Sequence, residues 1–180
     1  DFIHDLDIAA DRAKLRERIT TLIAAMDALP FAAQSFDAIW SEGAIYNMGF
    51  ASGIRAWRRL LKPDGILAVS ELTWLTQARP AELQRHWLQQ YPEVDTAAAK
   101  IALLEANGFS PLAYFTLPQQ CWLDNYYRPL QARFAGFLAR HGNSGAAEAI
   151  VAAEQNEIAL YERNMAFVGY GYFIAKKVGD

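Results

Sequence analysis

The chain has 180 residues and a net charge of −3; 53% of its residues are hydrophobic and 21% are charged. This composition is typical of a globular domain, and the acidic balance argues against a general affinity for nucleic acid. One cysteine, Cys121, excludes an intrachain disulfide and favours a reducing, cytoplasmic location; the three scattered histidines predict no metal site, and no apolar run is long enough to span a membrane.

In the first half of the chain, helix and strand patterns alternate. The predicted elements are a charged helix at 5–17, a strand at 19–25, a strand at 38–40, a helix with an apolar stripe from Ile54 to Leu61, and a strand at 66–69 that ends near Glu71. The turn Lys62-Pro63-Asp64-Gly65 is predicted to separate this helix from the strand that follows it.

The second half continues the alternation and adds a long connection. The predicted elements are a helical stripe from Leu83 to Tyr91, a helix at 96–106, a strand at 112–117, a loop at 118–127, helices around 130–138 and 150–161, and a last strand at 171–178. Gly169-Tyr170-Gly171 is interpreted as a hinge or loop, because no helix follows it as in a cofactor-binding turn. Strands alternating with helices indicate a mostly parallel sheet that is covered on both faces.

Three strings take the interpretation beyond a general α/β domain. They are Met26-Asp27-Ala28-Leu29-Pro30-Phe31, Ser35-Phe36-Asp37-Ala38-Ile39-Trp40 and Leu60-Leu61-Lys62-Pro63-Asp64-Gly65-Ile66-Leu67. In this order they resemble class I S-adenosylmethionine-dependent methyltransferases, in which an acid followed by x-Leu-Pro-Phe closes the third strand, Phe-Asp opens the fourth and Leu-Lys-Pro-Gly-Gly precedes the fifth. Asp64 replaces the first glycine of that last turn, which an Asp-Gly turn tolerates. The segments 41–47 and 70–74 further resemble a bacterial subgroup of small-molecule methyltransferases.

The resemblance spans nearly all of the chain and implies one domain, 1–180, with a Rossmann-like, doubly wound α/β fold. Its sheet would be mostly parallel with an antiparallel last strand. The family's Gly-rich loop after the first strand has no counterpart here, so the chain is expected to be the C-terminal two-thirds of the domain, without its first two strands. In the family's sheet order those strands lie between the strands at Ile19 and Ala38, so an N-terminal segment or a homodimer partner is expected to complete the sheet.

Ligands of open parallel sheets bind outside the carboxyl ends of the strands. The resemblance implies that S-adenosylmethionine is the cofactor and that Met26, Asp27 and Ser41 bind it. Asp27 would accept a hydrogen bond from the adenine amino group, and Met26 would cover the ring. The structural alternative is that Asp27 only caps the turn before Pro30.

The same edge supplies candidates for catalysis and for binding the acceptor. Glu42 is the first choice for a catalytic base or polar anchor, and Tyr46, Glu71 and Trp74 are predicted to bind a small-molecule substrate. The alternatives are that Glu42 is a helix-start acid, that Tyr46 is a core tyrosine and that Glu71 and Trp74 form an exposed rim pair.

The long connection 118–168 is predicted to be a helical lid insertion, because both of its ends lie at the ligand edge of the sheet. Trp122 and Tyr126 are predicted to bind the acceptor. Gln119, Asn125 and Tyr127 are expected to line the same pocket. The alternative is that these side chains pack the lid helices or a dimer contact, and Cys121 is expected to be an idle thiol because no partnered base is visible.

Methyl transfer from a sulfonium is an in-line displacement, which requires alignment and exclusion of water more than a fixed set of catalytic groups. The predicted function is therefore enzymatic methyl transfer to a small-molecule acceptor, with no metal, nucleic-acid or membrane partner. The alternative is a non-catalytic interaction module that keeps the fold without the cofactor. Nucleic-acid methylation is disfavoured by the acidic charge.

Overall fold

The computed structural model describes residues 2–179, which divide into two compact units, one ending at Ala32 and the other beginning at Ala33. The helices are α1 (Phe2–Arg12), α2 (Phe50–Arg58), α3 (Ala81–Gln90), α4 (Ala97–Ala106), α5 (Gln119–Trp122), α6 (Arg128–Arg140) and α7 (Gly145–Asn164), with a π-helix at Leu123–Tyr127 and 3-10 turns at Arg16–Arg18 and Ile45–Asn47. The strands are β1 (Phe36–Ser41), β2 (Leu61–Trp74), β3 (Asp95–Thr96), β4 (Phe109–Thr116) and β5 (Val168–Lys177).

The second unit is built on one sheet with the strand order β1-β2-β5-β4, and the short β3 pairs with the end of β2. β1 and β3 run parallel to β2, whereas β5 runs antiparallel to both β2 and β4. Four strands thus share one direction and only the last is reversed. This confirms the Rossmann-like α/β sheet with an antiparallel last strand.

The strand predicted at 19–25 is wrong. These residues form no regular strand, and the side chain of Ile23 is 81% exposed. An apolar, β-branched run becomes a strand only where a neighbouring strand takes up its backbone hydrogen bonds, and the described sheet contains no strand before β1. Within the first unit, Thr21 Oγ1 instead donates to Asp7 Oδ1 at 3.1 Å.

The predicted turn at 62–65 lies inside β2 as a bulge rather than before a strand. β2 begins at Leu61, and the pairing with β1 shifts between Phe36 and Ala38 as the extra residues bulge out. Asp64 takes a left-handed conformation with φ of 60°, which Asp tolerates better than most residues. Helix α2 accordingly ends at Arg58, and Leu61 of the predicted helical stripe belongs to the strand.

Alternate residues of β2 point to opposite faces of the sheet. Leu72 and Trp74 join a hydrophobic cluster with Trp87 of α3 and Tyr161 of α7. Phe173 of β5 packs edge-on against Phe50 of α2, with ring centroids 5.8 Å apart. Helices therefore cover the sheet of the second unit on both faces, as predicted.

The segment between β4 and β5 is helical from Gln119 onward, so the loop predicted at 118–127 is wrong. In its π-helical turn, Arg128 N donates to the carbonyl of Leu123, five residues earlier. The turn ends with Tyr127, whose side chain is fully buried, while the preceding Tyr126 is 52% exposed. Gly169-Tyr170-Gly171 is no hinge, since it lies within β5 and pairs with β2. Across residues 2–179, no helix is long and apolar enough to cross a membrane.

Candidate functional site

A cavity of about 730 Å³ lies in the second unit, within the range of small-molecule pockets. Seven aromatic residues line it: Tyr46, Trp87, Tyr91, Trp122, Tyr126, Tyr161 and Tyr170. Two carboxylates, Glu42 and Glu157, also line it. The remaining lining residues are Gly43, Ser70, Leu72, Gln90, Leu117, Pro118, Cys121 and Asn125. None of these residues is Lys, Arg or His, so the cavity carries acidic but no basic side chains.

The cavity lies at the carboxyl end of β1, where the chain turns sharply. Gly43 has a φ of 54°, a conformation that L side chains rarely adopt. Its backbone N–H donates to Ser70 Oγ of β2 at 2.8 Å, which fixes the turn to the neighbouring strand. A Cβ at Gly43 would lie 3.7 Å from the hydroxyl oxygen of Tyr170, so the turn is also in contact with β5.

Glu42 lines this cavity and is held in place by aromatic side chains. Its Oε1 accepts hydrogen bonds from Trp40 Nε1 at 3.0 Å and from Tyr172 OH at 3.4 Å. Burial, and then the charge of Glu42, raises the pKa of Tyr172 to about 12. The tyrosine therefore remains a hydrogen-bond donor, and Glu42 is positioned as an acceptor at the edge of the cavity.

Four of the residues predicted for the site lie together around the cavity: Glu42, Tyr46, Trp122 and Tyr126. Asn125 and Cys121 also line it, whereas Gln119 donates to the carbonyl of Met165 at 3.3 Å and Tyr127 lies in the hydrophobic core.

The other predicted site residues do not line the cavity. Ser41 is the half-buried last residue of β1. Glu71 and Trp74 are 1% and 2% exposed, so they do not form an exposed rim pair. Met26 and Asp27 belong to the first unit, and their part in binding a cofactor stays a prediction.

Glu71 belongs to a buried polar group behind the cavity. Its Oε1 accepts from the backbone N–H of Leu72 at 2.7 Å, and its Oε2 accepts from Tyr91 OH at 3.2 Å. Lys100 Nζ donates to Tyr91 OH at 3.4 Å and to the carbonyl of Glu93 at 2.9 Å. Burial raises the pKa of Glu71 to about 7, although the charge of Lys100 opposes this shift. Tyr91, whose hydroxyl belongs to this buried polar group, also lines the cavity, so the group is connected to the cavity wall.

Sequence reasoning missed several polar or aromatic lining residues, among them Glu157, Tyr161 and Tyr170. Glu157 and Tyr161 stand four residues apart on α7, a spacing that places both on one helix face and could have indicated them. Tyr170 faces the cavity because β5 continues through both glycines, so that period-two alternation extends to it.

Glu157 is anchored deep in the helical segment. Its Oε1 accepts from Tyr127 OH at 3.0 Å, and its Oε2 lies 3.4 Å from Nε2 of His86 in α3. Its side chain is 23% exposed. Burial raises the pKa of Tyr170 above its ordinary value, with a further contribution from the charges of Glu71 and Glu157. The hydroxyl of Tyr170 therefore stays protonated.

Several of the lining aromatic residues pack around Trp122, while Tyr46 and Tyr91 form a separate pair. The ring centroid of Trp122 lies 4.4 Å from that of Tyr161, 4.8 Å from Tyr170 and 6.0 Å from Trp87. Nε1 of Trp122 and Nε1 of Trp87 are both buried without a hydrogen-bond partner in the described protein. Buried indole N–H groups usually have a partner, so these two donors are available to a polar group that enters beside them.

Residues 3–69 match the family model described as a methyltransferase domain. The S-adenosylhomocysteine complexes of SAM-dependent methyltransferases from Geobacter sulfurreducens and Thiobacillus denitrificans are similar, each with a TM-score of 0.78 over 98% of this chain and 71% of theirs, at 19% and 18% identity. At this level of identity, the two structures show that the chain shares the fold of these methyltransferases.

The methyltransferase fold also occurs in the cyclase SpnF, whose structure matches 98% of the chain with a TM-score of 0.74 and 24% identity. The chain spans 63% of the length of the SpnF chain. No curated protein matches the sequence. These likenesses define the fold, and the reaction must be argued from the cavity.

Proposed function

We propose that this chain is part of an enzyme that transfers a methyl group from S-adenosylmethionine to a small-molecule acceptor held in the 730 Å³ cavity. The observation that carries the proposal is the position of the cavity at the carboxyl ends of β1 and β2, where open α/β sheets bind their ligands. The family match over residues 3–69 supports the same assignment.

The chemistry of this edge fits the cofactor. S-Adenosylmethionine supplies an electrophilic methyl group on a positively charged sulfur, and the residues around the cavity include Glu42 and Glu157 but no basic side chain. A carboxylate beside a sulfonium is electrostatically favourable, more so in a partly enclosed cavity than in water. Met26, Asp27 and Ser41 are the residues proposed to hold the cofactor.

The proposed roles of the remaining residues follow from where they lie. Glu42, which accepts two hydrogen bonds through Oε1, is proposed as the polar anchor or base for the acceptor. Tyr46, Trp122 and Tyr126 are proposed to bind the acceptor through their ring faces and polar tips. Glu71 and Trp74, which are buried, are proposed to act indirectly by supporting the wall of the site.

The helical segment 118–168 is proposed to act as a lid. Pro118, Cys121, Trp122, Asn125 and Tyr126 line the cavity from its first part. Glu157 and Tyr161 line it from α7. A segment that contributes this much of the lining excludes water from the acceptor, which methyl transfer requires.

Calorimetric titration of the full-length protein with S-adenosylhomocysteine tests the assignment. Asp27→Ala is expected to weaken binding by about 1–3 kcal/mol, the usual cost of leaving a ligand donor without its acceptor. Asp37→Ala is the matched control, because Asp37 is an exposed carboxylate paired with Lys62 at 2.8 Å. Absence of binding by the wild-type protein would contradict methyl transfer and favour a non-catalytic module. Equal affinity of wild type and Asp27→Ala would remove Asp27 from the site.

A further inference from the structure

The character of the cavity points to one chemical class of acceptor. Its lining combines seven aromatic residues with two carboxylates and contains no Lys, Arg or His. Aromatic faces attract cations through their quadrupole, and enclosures of several rings recognise substituted ammonium groups. An anionic acceptor, such as a carboxylate or phosphate, would meet two like charges and no cationic side chain in the lining itself, since Lys100 lies behind Tyr91 and donates there to the carbonyl of Glu93. Building on the function proposed above, we infer that the methyl acceptor is an amine that binds as its ammonium ion and leaves as a more highly methylated amine.

Glu157 is the carboxylate best placed to select this charge. The Tyr127 hydroxyl donates to its Oε1 at 3.0 Å, and the side chain packs beside His86 of α3, so its position costs little further ordering when a ligand binds. Its side chain is largely screened from solvent, which strengthens its attraction for a cation relative to an exposed carboxylate.

The tyrosine hydroxyls add neutral oxygen acceptors rather than further charge. Burial raises the pKa of Tyr161 to about 12 and raises that of Tyr170 above its ordinary value. Burial and the charges of Glu154 and Glu157 also raise the pKa of Tyr126. These residues therefore present intact phenol rings, whose faces attract cations, and hydroxyl oxygens that accept hydrogen bonds from N–H groups.

The same groups serve the chemical step. The bound ammonium ion first gives one proton to a carboxylate, for which Glu42 at the strand edge is the proposed acceptor. The nitrogen lone pair then forms the N–C bond to the methyl carbon as the C–S bond breaks and its electron pair remains on sulfur. The product nitrogen carries the positive charge that the sulfur loses, so the aromatic lining and Glu157 stabilise charge that grows on nitrogen during transfer.

The inference is tested by calorimetry on the full-length protein at pH 8 with two probes of the same shape. Choline carries a permanent trimethylammonium charge, and 3,3-dimethylbutan-1-ol replaces its nitrogen with carbon. Choline is expected to bind at least about tenfold more tightly, as a desolvated cation–aromatic contact predicts. Glu157→Gln should reduce that preference to about threefold or less. Glu148→Gln, on the exposed first turn of α7, should leave it unchanged.

A parallel titration with S-adenosylhomocysteine separates the two proposals. If this compound binds while choline and its neutral analogue bind equally, the amine inference is overturned and methyl transfer stands, with a neutral acceptor favoured. If choline is preferred and S-adenosylhomocysteine does not bind, the site is a cation site but the proposed function fails. Retention of the full choline preference in both Glu157→Gln and Glu42→Gln would also overturn the inference, because no lining carboxylate would then select the charge.

Discussion

Gly171 is more closely packed than Gly169, the other glycine of β5, and replacing it with alanine should destabilise the fold. A Cβ there would lie 2.7 Å from Thr73 Oγ1, 2.7 Å from Cε2 of Tyr114 and 3.1 Å from Cε2 of Phe173. Favourable contacts between carbon atoms lie at about 3.5–4.0 Å, so the side chains of Thr73, Tyr114 and Phe173 must move to admit the methyl group. Overpacking of this kind costs about 1–3 kcal/mol, which lowers the melting temperature of a chain of this size by roughly 2–12 °C.

Gly169, two residues earlier on the same strand, is the matched control. A Cβ there would meet Thr116 Cγ2 at 3.4 Å and Leu75 Cδ1 at 3.5 Å, which are ordinary contacts. Gly169→Ala should stay within about 0.5 kcal/mol of the wild type, or exceed it, because alanine restricts the unfolded chain. Urea unfolding followed by circular dichroism measures both variants. Equal losses of stability would refute the argument from crowding and point to a general need for glycine in this strand.

Three further predictions concern charge, helix capping and the acceptor site. Because burial raises the pKa of Glu71 from 4.5 to about 7, the folded state keeps a proton that the unfolded state releases. The free energy of unfolding should therefore fall by about 3 kcal/mol as pH rises from about 4.5 to 7. Glu71→Gln should abolish this fall in urea titrations. Ser144 Oγ accepts from Ala147 N at the start of α7, so thermal melts should show a loss of about 1 kcal/mol in Ser144→Ala but not in Ser144→Asp. Tyr126→Ala should retain affinity for S-adenosylhomocysteine in calorimetry and lower turnover with an amine acceptor; a parallel loss of both would contradict its assignment to the acceptor.

The elements that could be predicted from the sequence were those whose type and ends are marked by their own residues or by residues next to them. The helix at 97–106 ends at Asn107-Gly108, and Gly108 has a φ of 75°, so the sequence contains both the helix pattern and its stop. The run 19–25 has a strand composition, but composition does not say whether a partner strand lies beside it. The π-helical turn at Leu123–Tyr127 was also unpredictable, because no sequence pattern in this polar and aromatic segment indicates that the turn contains one extra residue.

The candidate site was predictable where topology selects it. The rule that ligands lie at the carboxyl ends of parallel strands was enough to select Glu42 and Tyr46, which line the cavity. That rule cannot tell which of two neighbouring strand residues faces the ligand, and so it included Glu71, which points to the opposite face from Leu72. Glu157 was missed because its spacing from Tyr161 defines one face of α7, but only the long-range packing of α7 beside α3 shows that this face meets the cavity.

The π-helical turn sets the angular position of everything that follows it. It adds one residue to a helical turn, and in an α-helix each residue advances by about 100° around the axis. Removing a residue before Tyr126 would rotate α6 by about 100° relative to α5 and turn the buried Tyr127 toward the direction that the exposed Tyr126 now takes. A single-residue deletion or insertion at this turn would thus reshape the cavity that Trp122 and Tyr126 line. Chain length at this one turn is a means by which related proteins with otherwise similar sequences could accept different molecules.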